Sequence, residues 1–173
     1  MRILIIISSL ILNGCTGIPG GVHPVDNFSA DRYLGKWYEI ARLDHSFERG
    51  LDQVTAEYTK RDDGGIKVIN RGYSIKSDKW KEAVGKAYFV GDSQTGHLKV
   101  SFFGPFYGSY IVFELDKTNY QYAFVAGYNK SYLWLLSRTP DVDQELIDKF
   151  INKSRELGFI ADDLILVNQK KQK

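Results

Sequence analysis

The sequence predicts an all-β domain: eight short antiparallel strands, then a single α-helix and a short ninth strand. Stretches of alternating apolar and polar residues recur along the chain, separated by turn-forming residues. The separations are of hairpin length, which joins antiparallel neighbours. A helical repeat is strong only once, after the eighth stretch. Such a chain folds as a sandwich or a barrel, and periodicity alone does not choose between them.

Trp37 to Asp44 and Gln53 to Lys60 are the first two strands. Arg61-Asp62-Asp63-Gly64-Gly65 reads as a hairpin turn, because Asp-Gly tolerates the positive φ such loops require. Ile66 to Ser74 follows, with Ile66, Val68 and Asn70 on one face and Lys67, Ile69 and Arg71 on the other. Trp80 to Val90 is the fourth strand, turned by Gly91 to Gly96. Leu98, Val100 and Phe102 alternate with Lys99 and Ser101 in the fifth, and Gly104-Pro105-Phe106-Tyr107-Gly108 breaks the pattern. Ser109 to Leu115, Tyr120 to Tyr128 and Tyr132 to Ser137 complete the eight. Leu146, Ile147, Phe150, Ile151, Ser154 and Leu157 then mark one helix face. Asp141 and Asp143 are candidate N-caps, Gly158 stands where a glycine ends a helix, and Leu164 to Val167 is the ninth strand.

A length of 173 residues favours one domain. The 23 basic and 21 acidic residues nearly cancel and are interspersed, which argues against a nucleic-acid partner. Lys170, Lys171 and Lys173 read as a solvated end. With Cys15 the only cysteine, no intramolecular disulfide can form, and His23, His45 and His97 are too scattered to suggest a metal site.

Before Cys15, Arg2 leads the apolar run Ile3 to Leu12. That run is too short to span a bilayer, which takes about 20 residues, but has the length of a signal-peptide core. Leu12-Asn13-Gly14-Cys15 resembles the bacterial lipobox, with Asn13 its one irregular residue. The resemblance implies a lipoprotein signal peptide at 1–14 and acylation of Cys15. It also implies that Thr16, not being Asp, permits export to the outer membrane, facing the periplasm. Residues 15–27 read as a lipidated N-terminus and flexible tether, rich in Gly and Pro, ahead of a domain at 28–173.

Gly35-Lys36-Trp37-Tyr38-Glu39-Ile40 resembles the first lipocalin signature, and Leu136-Ser137-Arg138-Thr139-Pro140 resembles the third. A degenerate second signature, Asp116 to Tyr120, marks only a turn. The stretches Phe47 to Leu51, Arg61 to Gly65, Ser101 to Gly108 and Tyr132 to Arg138 are similar to the bacterial lipocalin lipoproteins, and the likeness runs from about Phe28 to Val167. It implies an eight-stranded up-and-down antiparallel barrel with the helix packed outside. It also implies that Arg138 lies across the Trp37 ring at the closed end, near Gly35.

If Trp37 points inward, alternation sends Ala56 and Tyr58, Val68 and Asn70, Val100 and Phe102, and Trp134 and Leu136 inward as well. In strands six and seven the register stays open, between Tyr110 and Ile111 and between Phe124 and Val125; Tyr110 is the lining candidate. Such a lining suits an acyl chain, although the same residues could fill a solid core. The resemblance implies binding of a fatty acid or lysophospholipid, with no cofactor. No catalytic residue is expected: the one thiol is committed to the anchor, no Gly-x-Ser-x-Gly elbow occurs, and Glu39 alone is not a catalytic pair. A scaffold lipoprotein without a small ligand is the alternative. The aromatics of Phe103 to Tyr107 read equally as a membrane-facing rim, a homodimer patch or a loop packed on itself.

Overall fold

The structure is a computed structural model that describes residues 16–170; Cys15 and the leader at 1–14 lie outside the described residues. Eight strands run as a meander: β1 (Gly35–Arg42), β2 (Leu51–Lys60), β3 (Ile66–Ser74), β4 (Lys79–Phe89), β5 (His97–Ser101), β6 (Gly108–Leu115), β7 (Tyr122–Ala126) and β8 (Leu133–Ser137). Each pairs antiparallel with the next, and β8 returns to β1, which closes a barrel and leaves no long free edge. The first half of β1 pairs with β2, from Gly35 opposite Tyr58 to Tyr38 opposite Thr55. Where β2 diverges, the ninth strand β9 (Ile165–Leu166) takes its place beside Ala41 and Arg42.

Strand alternation sorts the apolar residues into two cores. Trp37, Tyr58, Val68, Leu98, Val112, Val125 and Leu136 face the barrel interior. Ile111, Phe113, Phe124, Leu133 and Leu135 face outward, where the helix α2 (Gln144–Glu156) covers them with Phe150. This decides the open register: Tyr110 and Val125 lean inward, and Ile111 and Phe124 outward, under the helix. Of the two candidate caps, Asp143 is the N-cap, accepting from the Leu146 N–H at 2.8 Å. Asp141 is not; its carbonyl accepts the Thr139 hydroxyl instead. Ser154, fully buried in the helix, donates its hydroxyl to the Phe150 carbonyl.

Three expectations need correction. The segment read as a flexible tether is packed against the barrel from Gly17 onward. Val25 donates to the Val112 carbonyl and accepts from Gly96, Val22 is buried beside the helix, and the Ser109 hydroxyl donates to the Gly17 carbonyl. Gly96 permits this approach, since a Cβ there would stand 2.9 Å from the Val25 side chain. A four-residue helix, α1 (Ala30–Tyr33), precedes β1, too short for any periodicity to reveal. Third, the seventh strand begins at Tyr122, because Tyr120 sits in the turn at a φ of 56°. Of the readings left open for the Phe103 to Tyr107 loop, packing on itself does not describe Phe103 and Phe106, which are exposed.

Candidate functional site

In a meander, alternate connections gather at opposite ends. One end carries the β2–β3, β4–β5 and β6–β7 connections together with α1, and it is sealed. Trp37 is completely buried there, its indole N–H donating to the Tyr33 carbonyl at 2.8 Å. The Arg138 guanidinium lies 3.8 Å above the Trp37 ring. It donates to the carbonyls of Arg32 at 2.8 Å, Lys36 at 2.9 Å and Tyr120 at 3.2 Å. One planar cation thus ties α1, β1 and the β6–β7 turn across an aromatic face. Gly35 adopts a φ of +92° as the chain enters β1, a conformation a side chain would resist.

Above this floor runs one cavity, opening toward the other end of the barrel. The space between its walls comes to about 850 Å³ including the mouth, yet only about 100 Å³ is wide enough to centre a water molecule, so it is a slot. Ala56 and Tyr58 of β2, Val68 and Asn70 of β3 and Val100 of β5 line it. So do Phe102, Tyr110, Trp134 and Leu136, which brings all nine candidate lining residues to one space. Ala87 and Leu98 belong to the same wall and could have been added by alternation. Tyr33, Phe47 and Glu48 could not, because α1 and the β1–β2 connection deliver them from outside the strand pattern.

Two polar groupings interrupt the apolar wall. In one, the Tyr110 hydroxyl lies 2.7 Å from that of Tyr33 and 2.9 Å from that of Tyr58. Burial, and the proximity of the other phenols, raise the pKa values of Tyr33 and Tyr110, so the cluster stays neutral. The second grouping lies higher in the barrel. Arg42, buried, donates to Glu39 Oε1 at 2.7 Å and to the carbonyls of Glu48 and Leu51. His45 Nε2 lies 2.8 Å from Glu48 Oε2, which also accepts the Trp134 indole N–H at 3.0 Å. Burial, aided by the negative charge of Glu48, raises the pKa of Glu39 well above the usual carboxylate range against the pull of Arg42. For Glu48, burial acts in the same sense, but the hydrogen bonds from His45 and Trp134, with the charge of Arg42, hold its pKa low. Arg42 thus bonds the carboxylate of Glu39, whose pKa is raised, and the backbone carbonyl of Glu48, whose carboxylate pKa is held low. Asn70 Oδ1 is buried with no hydrogen-bond partner among the described residues.

A barrel sealed at one end, open at the other and lined by apolar and aromatic side chains defines a container for a small apolar molecule. Among the described residues no cluster of His, Cys, Asp and Glu could hold a metal ion. The chain belongs to the lipocalins: the family model for the lipocalin-like domain matches residues 28–169. It is 64% identical over 168 residues to the outer membrane lipoprotein Blc of Vibrio cholerae serotype O1, covering 97% of this chain and 98% of that one. It is 52% identical over 151 residues to the protein of the same name from Escherichia coli K12, covering 87% of this chain and 85% of that one. Among solved structures, insecticyanin from the tobacco hornworm Manduca sexta shares the fold at a TM-score of 0.71 and 22% identity, over 90% of this chain and 88% of that one. The protein is an outer-membrane, lipid-anchored member of the family, and the names of these relatives are not those of enzymes.

Proposed function

We propose that this chain binds a single acyl-chain lipid, a fatty acid or a lysophospholipid, in the barrel slot. It stores or transports that lipid in the cell envelope while attached to the outer membrane through acylated Cys15. The observation that carries this reading is the shape and chemistry of the slot: narrow, walled by apolar side chains such as Val68, Val100 and Leu136, and sealed below by Trp37. Each methylene buried there contributes about 0.8 kcal/mol, so a long chain supplies ample binding energy without any covalent step. Asn70, with a buried unpartnered oxygen, and the Tyr33–Tyr110–Tyr58 cluster offer polar contacts along the chain. The acidic and basic groups around Arg42 stand closer to the mouth, where a carboxylate or headgroup would lie.

Native mass spectrometry of the purified protein tests the reading, together with titration by fatty acids and lysophospholipids followed through Trp134 fluorescence. One bound lipid per chain, displaced by added ligand, is expected. Protein that carries no lipid and shows no fluorescence change with either class would instead support a scaffold role. The anchor is tested separately by labelling with a palmitate analogue: Cys15→Ser should take up no label and should no longer stay with the membrane through washes that strip peripherally bound protein.

A further inference from the structure

The open end of the barrel carries most of the apolar surface that folding leaves exposed. Phe47, Ile75, Trp80, Phe103, Phe106 and Tyr128 are all exposed. All of them lie in the β1–β2, β3–β4, β5–β6 and β7–β8 connections or beside them. Phe103 is 81% and Phe106 70% exposed, values that a loop serving only itself would not need. The sealed end, by contrast, uses its aromatics Tyr33, Trp37 and Tyr120 internally. Lysines are interleaved with the exposed ring: Lys76, Lys79 and Lys81 flank Trp80, are exposed, and form no ion pair with other described residues.

The course of the N-terminal segment says what faces this ring. Gly17 is held by Ser109, the second residue of β6, and β6 begins where the Phe103–Tyr107 connection ends. Cys15 precedes Gly17 by two residues, at most about 7 Å of chain. The described chain thus begins beside β5 and β6, with Thr16 on His97 and Gly17 on Ser109 near the open end of β6, and the anchoring position is only one residue further along the chain, within reach of the exposed aromatics. Aromatic side chains mixed with lysine match a bilayer interface, where rings sit at headgroup depth and ammonium groups meet anionic lipids.

We propose that the open rim, Phe47, Ile75, Trp80, Phe103, Phe106 and Tyr128, is a membrane-docking surface that seats the barrel mouth-down on the bilayer to which the chain is tethered. Lipid then passes between bilayer and slot without crossing water. The proposal rests on the reading of Cys15 as the anchor, and the test separates the two. The full acylated chain is reconstituted into phosphatidylethanolamine and phosphatidylglycerol vesicles that include brominated phosphatidylcholine. Flotation reads the anchor. The part of the quenching that Trp80→Phe removes reads the rim, because Trp80 is exposed whereas Trp37 is fully buried and Trp134 lines the slot.

Quenching is expected in the parent chain, should be largely lost in Trp80→Phe, and should weaken in Phe103→Ser/Phe106→Ser while flotation persists. A floating but unquenched protein would overturn mouth-down docking and leave the anchor intact. The Cys15→Ser chain supplies an arm that does not need acylation. It should partition onto the same vesicles, and the double serine change should lower that partitioning roughly tenfold or more. No partitioning by Cys15→Ser overturns the proposal even if the anchor reading has failed. A Trp80 emission shift that follows protein concentration without vesicles, with cross-linked pairs lost in the double variant, would assign the rim to a second copy and likewise overturn it.

Discussion

Arg138→Ala should be among the most destabilising substitutions outside the apolar core, although the side chain is only partly buried. The guanidinium stacks 3.8 Å from the Trp37 ring, a contact worth about 1–2 kcal/mol where water is partly excluded. Its hydrogen bonds to Arg32, Lys36 and Tyr120 reach the carbonyls of three separate segments. Each contributes about 0.5–1 kcal/mol net, reduced where the donor meets solvent. Together the loss is about 3–4 kcal/mol. In a domain of this size each kcal/mol lowers Tm by about 2–4 °C, so thermal and urea unfolding should show a drop on the order of 10 °C. Arg138→Lys retains a charge near the ring but cannot span three carbonyls with one planar fork, and it should recover less than half of the difference. A Tm for Arg138→Ala within about 2 °C of the parent would refute the view that this residue fastens the closed end.

Val100→Trp should obstruct the slot, since Val100 lines it with the small residues Ala87 and Gly108 beside it in the sheet. Acyl-ligand affinity should fall at least about tenfold while a cooperative thermal transition shows that the barrel still folds; unchanged affinity would place the ligand elsewhere. Glu39→Gln probes the buried charges. The pKa of Glu39 in the native protein is raised above the unfolded value of about 4 by burial and by the charge of Glu48. That contribution to stability is complete below the unfolded value and is lost as pH rises through the raised native value. The variant should accordingly show a flatter fall of the urea midpoint from acidic to mildly alkaline pH, and a slope equal to that of the parent would exclude Glu39 as its source.

Much of the fold was legible because strands buried on one face write their period directly into the chain. Ile66 to Ser74 matches β3 at both ends, and the nine lining candidates meet in one cavity because alternation keeps its phase along a pleated strand. The phase was ambiguous only where both faces are apolar. In β6 and β7 the outward residues Ile111 and Phe124 are as buried as the inward ones, since α2 covers them.

Other features depended on contacts distant in sequence. Glu39, Arg42, His45 and Glu48 are close in the chain, but that they share one buried network with Trp134 follows from the β1–β2 connection folding back over β8. The segment at 17–27 looked like a tether because Gly and Pro carry no periodicity; hydrogen bonds to Gly96, Ser109 and Val112, far along the chain, hold it to the wall. Local sequence, then, determined the strands, the helix, the Trp37–Arg138 pairing by resemblance and the polarity of the lining. Tertiary structure alone decided which end of the barrel is sealed, how narrow the slot is and where the N-terminal segment emerges. Period and propensity are properties of neighbouring residues, whereas closure, cavity shape and exposure depend on which distant surfaces meet.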